Sequence, residues 1–218
     1  LGAGNSYFLD EDGNVILHYL GSKTKAATQI NLREADSGDD SRQSVDDAGF
    51  YISEEKTAIA YGGLSGEPVY VITSEDMGKT WETSEVIARN VGVSKLYVGF
   101  NTPQNGWLVI SNFHGMGHED HYIYLTFDGG KTWTQIGNPN ELYARVATGA
   151  GFSSDRIGFL SFRYETDFQP AIVRTLDGGY TWDKLYVTLP AEFDNYSKTP
   201  LSPVFRGAQG LYPIRMSS

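Results

Sequence analysis

The side chains best suited to chemistry fall in a few clusters. Arg163-Tyr164-Glu165 sets a guanidinium, a phenol and a carboxylate side by side, and Arg215 follows 52 residues later, each arginine five residues after a glycine, Gly158 or Gly210. A guanidinium grips a carboxylate bidentately, so two arginines on one rim beside Tyr164 and Glu165 could seat an anionic sugar. The competing reading is of strand-end surface residues paired with acidic neighbours. His114, His118 and His121 crowd one stretch with Glu119 and Asp120, and Gly115 and Gly117 would let it wrap a zinc, copper or nickel ion. Without cysteine or a His-Glu-x-x-His spacing, the stretch reads rather as a solvated hairpin, and no cofactor is expected. Glu34, Asp36, Asp39, Asp40, Asp46 and Asp47 lie within 33–47, and Asp10-Glu11-Asp12-Gly13-Asn14 looks like the start of a calcium loop. Neither continues to the bidentate glutamate such a loop needs, which leaves acidic loops. Tyr7, Tyr19, Tyr143, Tyr164, Tyr186 and Tyr196 fall near turns or chain ends, where exposed rings suit sugar or peptide contacts, whereas Trp107, Tyr61 and Tyr97 fall at core strand positions.

The elements that must position these groups follow from composition and repetition. The chain has 218 residues, 17 basic and 27 acidic side chains, a net charge of −10 and no cysteine, with a pI near 4.8. That excludes disulfide scaffolds and thiolate metal sites, argues against nucleic acid as a partner, and no apolar run is long enough for a transmembrane segment. High Gly, Tyr and Phe with only 3 Met favour short strands and turns over helices.

One octapeptide occurs three times: Ser74-Glu75-Asp76-Met77-Gly78-Lys79-Thr80-Trp81, then Thr126 to Trp133, then Thr175 to Trp182. The motif aspartates are 52 and 49 residues apart, the length of one four-stranded propeller blade. Phe50, Phe100, Phe152 and Phe205 recur in step, as do apolar strands beginning at Thr57, Gly106, Gly158 and Gly210. Residues 9–16 read as a decayed copy, with Glu11 in the Asp place and Ile16 in the Trp place. The chain therefore divides into a half-blade at 1–32 made of a blade's last two strands, the acidic insertion 33–47, blades at 48–95, 96–147 and 148–200, and a half-blade at 201–218. Pairing the two halves would close a four-bladed ring as one domain. A fragment of a larger propeller is the alternative.

The pattern Ser/Thr-x-Asp-x-Gly-x-Thr-Trp resembles the Asp-box, or BNR repeat, of sialidases, sortilin-type receptors, xyloglucan-cleaving glycosidases and photosystem assembly factors. The resemblance implies an all-β propeller of four-stranded antiparallel blades, with the motif as the hairpin between third and fourth strands. In it Asp76, Asp128 and Asp177 would accept turn N–H groups, Gly78, Gly130 and Gly179 would take positive φ, and Trp81, Trp133 and Trp182 would pack on the blade, with Thr80, Thr132 and Thr181 completing the motif. Such a motif names a fold, not a reaction. The Arg-Ile-Pro element that a sialidase would carry is absent, and six blades would need roughly 300 residues. The reading is thus a non-catalytic, secreted or extracytoplasmic module binding glycan or protein. A sialidase-like glycoside hydrolase acting on an anionic sugar is the alternative, and an assembly factor is a third class.

Overall fold

The computed structural model describes residues 5–31, 49–63, 66–88, 92–163, 170–206 and 209–217. Tyr164, Glu165 and the acidic stretch 33–47 lie outside them. The chain divides into two compact units, Leu1–Gly106 with Thr126–Trp133, and Trp107–Leu125 with Thr134–Ser218. The described structure is all-β, relieved by short 3-10 turns such as Pro139–Glu141 and Ala191–Phe193.

In the first unit, β1 (Ser6–Leu9), β2 (Asn14–Tyr19) and β3 (Thr24–Asn31) form one antiparallel sheet. β4 (Phe50–Ile52), β5 (Thr57–Gly62), β6 (Val69–Ser74) and β7 (Glu82–Ile87) form a four-stranded meander, and β8 (Val93–Phe100) lies against β4 and β5. Inner strand β5 has its first four residues buried, because neighbours cover both of its faces, whereas outer strand β7 buries only Ser84. Val15, Leu17, Tyr19, Ile30, Phe50, Ile52, Ile59 and Ile72 form the core between these sheets. Each such aliphatic side chain contributes about 1.5–3 kcal/mol on burial. Two contacts fix how the sheets meet: Tyr7 stacks on Phe50 at 3.8 Å, and the buried Tyr19 hydroxyl lies 2.7 Å from Thr57 Oγ1.

Two expectations need correction here. The opening sheet has three strands, not two, and its first turn is not a decayed Asp-box. Asp10, not Glu11, organises it: Oδ1 accepts from the Asp12 and Asn14 amides at 3.0 and 2.8 Å, and Oδ2 accepts from Asn14 Nδ2 at 2.9 Å. The Asp10 amide donates to Asn14 O, the same five-residue closure that Asn101–Asn105 and Ser153–Ile157 use after β8 and after the first strand of the 148–200 repeat. The turn therefore joins first to second strands, and its carboxylate is bonded to two backbone amides and the Asn14 side chain. The second correction is one of register. Phe100 and Phe152 lie over Gly106 and Gly158, where a Cβ would strike the ring. In the earlier repeat the residue paired with Thr57 is Ile52, and Phe50 sits two residues back, opposite Ile59.

In the second unit, β9 (Gly106–Gly115), β10 (His118–Thr126) and β11 (Thr134–Ile136) run in meander order, and β12 (Ala147–Phe152), β13 (Gly158–Phe162), β14 (Ala171–Thr175) and β15 (Asp183–Leu185) form a four-stranded sheet. β16 (Ser197–Pro200) pairs with β19 (Ile214–Ser217), and β17 (Val204–Arg206) with β18 (Gln209–Leu211), so the last hairpin begins at Ser197. It packs on the glycine-bearing strand β12: Thr148 Oγ1 donates to Pro200 O at 2.5 Å, and the Gly149 and Gly151 Cα atoms face Ser202 and Pro203.

Candidate functional site

The repeated aspartates are occupied by their own turns. In each turn one carboxylate oxygen accepts from the leading Ser or Thr hydroxyl at 2.8 Å and from the motif Thr amide at 2.9–3.0 Å, and the other accepts from the Thr hydroxyl at 2.6 Å. The leading hydroxyl also accepts from the amide of Gly78, Gly130 or Gly179, all at positive φ. The tryptophan Nε1 then donates to that glycine's carbonyl at 2.9–3.1 Å. These bonds hold the Asp76 and Asp177 carboxyls down at about 2, the motif Thr hydroxyl first among the causes. Asp128 also lies at about 2, its partial burial opposing the shift and its bonds to Thr132 and Thr126 outweighing it. These donors commit each carboxylate to its own turn.

The three histidines do not converge, and among the described residues no group of three His, Asp or Glu side chains could hold a metal. His114 pairs with Asp120 at 3.0 Å, and Arg145 donates to His118 Nε2 at 2.8 Å. His121 is only 1% exposed. Its Nε2 donates to Arg145 O at 2.8 Å, because a carbonyl can only accept, and Nδ1 lies 2.9 Å from Ser111 Oγ, from which it accepts when the ring is neutral. Burial pushes its pKa down to about 4, against the bond to Arg145. His121 and Asn140 also exchange hydrogen bonds at 2.7 and 3.0 Å, and the buried Glu119 accepts from the Ala147 amide at 2.8 Å. The residues that read as metal ligands instead pin the 137–146 segment onto β10.

That segment carries Tyr143, whose ring packs on Phe162 at 5.0 Å and forms one wall of a groove of about 690 Å³. The floor comes from Pro170 to Val173, and the far wall runs from Lys184 through Tyr186 and Leu189 to Asp194. Registry locates it. Phe162 pairs with Ala171, and Ile172 with Leu185, at one end of the β12–β15 sheet, whereas the Asp177 turn follows Thr175 at the other. Tyr186 is 86% exposed. The far wall is held by the buried Lys198, whose ammonium donates to the Tyr196 carbonyl at 3.1 Å and the Asp194 carbonyl at 3.5 Å.

Arg163 follows Phe162 directly and is exposed at this same end, its amide bonded to Val146 O. Arg215 is exposed on β19, opposite Thr199. No contact joins the two arginines among the described residues. Tyr186 and Tyr196 carry the sequence expectation of exposed aromatics, whereas Tyr143 is half-buried and Tyr19 is fully buried in the first unit's core. Lys184 and Asp194 escaped notice because nothing in their local pattern separates them from other exposed charges.

Residues 124–135, the strand end and turn around Asp128, match the BNR/Asp-box repeat family model. The chain thus carries an Asp-box repeat. Its four-stranded antiparallel sheets with Asp-box hairpins are propeller blades. Among solved structures, an ancestral GH74 enzyme aligns with 97% of this chain at 15% identity and a TM-score of 0.52. A polysaccharide lyase of family PL25, an ulvan lyase, aligns with 98% at 12% identity and TM-score 0.41, and a protein of unknown function from Dyadobacter fermentans with 92% at 15% identity and TM-score 0.37. The chain spans 28%, 62% and 54% of those chains respectively. No curated protein matches it in sequence. Among the described residues no helix is long and apolar enough to cross a membrane.

Proposed function

We propose that this chain is a carbohydrate-binding module, non-catalytic and extracytoplasmic, and that a glycan lies in the groove across Tyr186 and Tyr143. The observation that carries the reading is an exposed tyrosine on the wall of a groove whose volume lies in the range of ligand sites. A sugar presents an apolar C–H face to an aromatic ring and hydroxyls to a carboxylate such as Asp194. The Asp-box repeats and the likeness in fold to a GH74 enzyme support a carbohydrate-related role. Hydrolysis by paired carboxylates needs two of them facing each other across the bond. Among the described lining residues there is one, Asp194, which favours binding over turnover.

The second reading is a hydrolase acting on an anionic sugar through Arg163, Arg215, Tyr164 and Glu165. What favours it is the place of Arg163 beside groove-lining Phe162. A glycan array probed with the full chain separates the outcomes. Binding lost at least tenfold in Tyr186→Ala/Tyr143→Ala, without release of reducing ends, supports the module. Turnover that disappears in Arg163→Ala/Arg215→Ala supports the hydrolase. Absence of glycan binding by folded protein overturns both.

A further inference from the structure

The groove's two charged lining side chains point to the kind of glycan. Lys184 and Asp194 both line it, yet no ion pair joins them, and neither has an ion-pair partner among the described residues. Arg163, at the same end of the sheet, likewise has no ion-pair partner among the described residues. This end of the β12–β15 sheet thus presents two cations that no described side chain neutralises, next to an exposed ring and an acceptor carboxylate. Screening limits the reach of surface charge to about 10 Å at 0.1 M salt, so these local cations, and not the net charge, decide what the groove attracts.

We infer that the groove binds an acidic glycan: a sugar ring stacks on Tyr186, its anionic group, a carboxylate or a sulfate ester, meets Lys184 with Arg163 reinforcing, and its ring hydroxyls donate to Asp194. The inference rests on the carbohydrate reading and adds the charge class of the sugar. Asp194 serves the hydroxyl side because its carboxylate can only accept, and it would repel an anion placed against it, which orients the ring. Lys184 reads charge and not planarity, whereas a guanidinium favours the flat, bidentate carboxylate over the tetrahedral sulfate.

Calorimetric titration of the full chain tests this with length-matched neutral, uronate-containing and sulfated oligosaccharides, each at about 0.02 M and about 0.3 M salt. At low salt the acidic oligosaccharides bind at least tenfold more tightly than the neutral one, and the preference shrinks at high salt. Lys184→Gln removes the preference, and Lys184→Arg keeps it. Arg163→Gln narrows any gap between uronate and sulfate. Lys184 is exposed on an edge strand, so the variants fold, which an unchanged urea midpoint verifies. Equal affinity for neutral and acidic sugars, or a preference that survives Lys184→Gln, overturns the inference while leaving the carbohydrate reading intact. No binding to any of the three, with the protein folded, overturns both.

Discussion

The two ends of the β12–β15 sheet are built on different principles. At the Asp177 end most of the bonding is local: hydroxyl, carboxylate and amides within eight residues bond to one another, with the Gly178 amide reaching Arg156 O, and the same side-chain bonds recur at Asp76 and Asp128 within about 0.1 Å. At the groove end nothing is self-sufficient. The Tyr143 segment hangs on His121, Asn140 and Glu119, the Asp194 segment hangs on Lys198, and no bond of one recurs in the other. An end that closes most of its hydrogen bonds within one octapeptide is copied from blade to blade. An end held by distant side chains is free to vary, and there stand the exposed Tyr186 and Lys184 and Arg163, which no described side chain neutralises.

The sharpest test of that contrast is Trp182→Ala against Tyr186→Ala. Trp182 is 7% exposed, caps the Gly179 carbonyl and meets Phe152 edge-on at 6.2 Å, so its truncation costs about 3–5 kcal/mol by urea denaturation. A loss below about 1 kcal/mol would contradict a structural role for the Asp-box end.

Next in size is the acid response of His121. Its folded pKa of about 4 lies below the ordinary 6.5, so between these values the unfolded chain binds more protons than the folded one, and stability falls as pH falls from 6.5 toward 4. The loss amounts to about 3 kcal/mol. The wild type therefore shows urea midpoints that drop over this window, and His121→Gln, though less stable at pH 7, shows a flatter profile. Because His121 pins the Tyr143 wall, glycan affinity declines over the same window. An equally steep profile in the variant would assign the acid response elsewhere.

Asp177→Asn keeps the shape of the turn but weakens its acceptor, at about 1 kcal/mol at pH 7. The folded pKa of about 2 lies below 3.8, so this carboxylate's contribution is full above 3.8 and disappears as pH falls through 2. The gap between wild type and variant in thermal midpoint closes over that range. The smallest effect is that of Tyr186→Ala on stability, within about 0.5 kcal/mol, since its ring is exposed. A larger loss would mean that Tyr186 is a packing residue and would remove it from the glycan site.

How much was legible follows from the same division. The Asp-box turns could be read because their bonds lie within eight consecutive residues, so spacing encodes geometry directly. The false copy at Glu11 shows the limit. Acidic residues followed by a glycine also serve a first-to-second strand turn, and only the pairing of β1 with β2 and β2 with β3 tells the two apart. Tyr143 and Tyr186 were visible as aromatics near turns, but so was Tyr19, which the core buries against Thr57. The histidines misled because their density along the chain resembles a ligand set, while strand alternation sends His121 inward and leaves His114 and His118 outside.

By itself the sequence determined the all-β class, the blade period and the turn chemistry, since these depend on bonds between residues close along the chain and on alternation with period two. Only the tertiary structure decided which tyrosines face solvent, that His121 and Lys198 are buried anchors, and that Lys184 and Asp194 share a groove. Those facts depend on which side chains from distant segments meet in one place, and no local pattern carries that information.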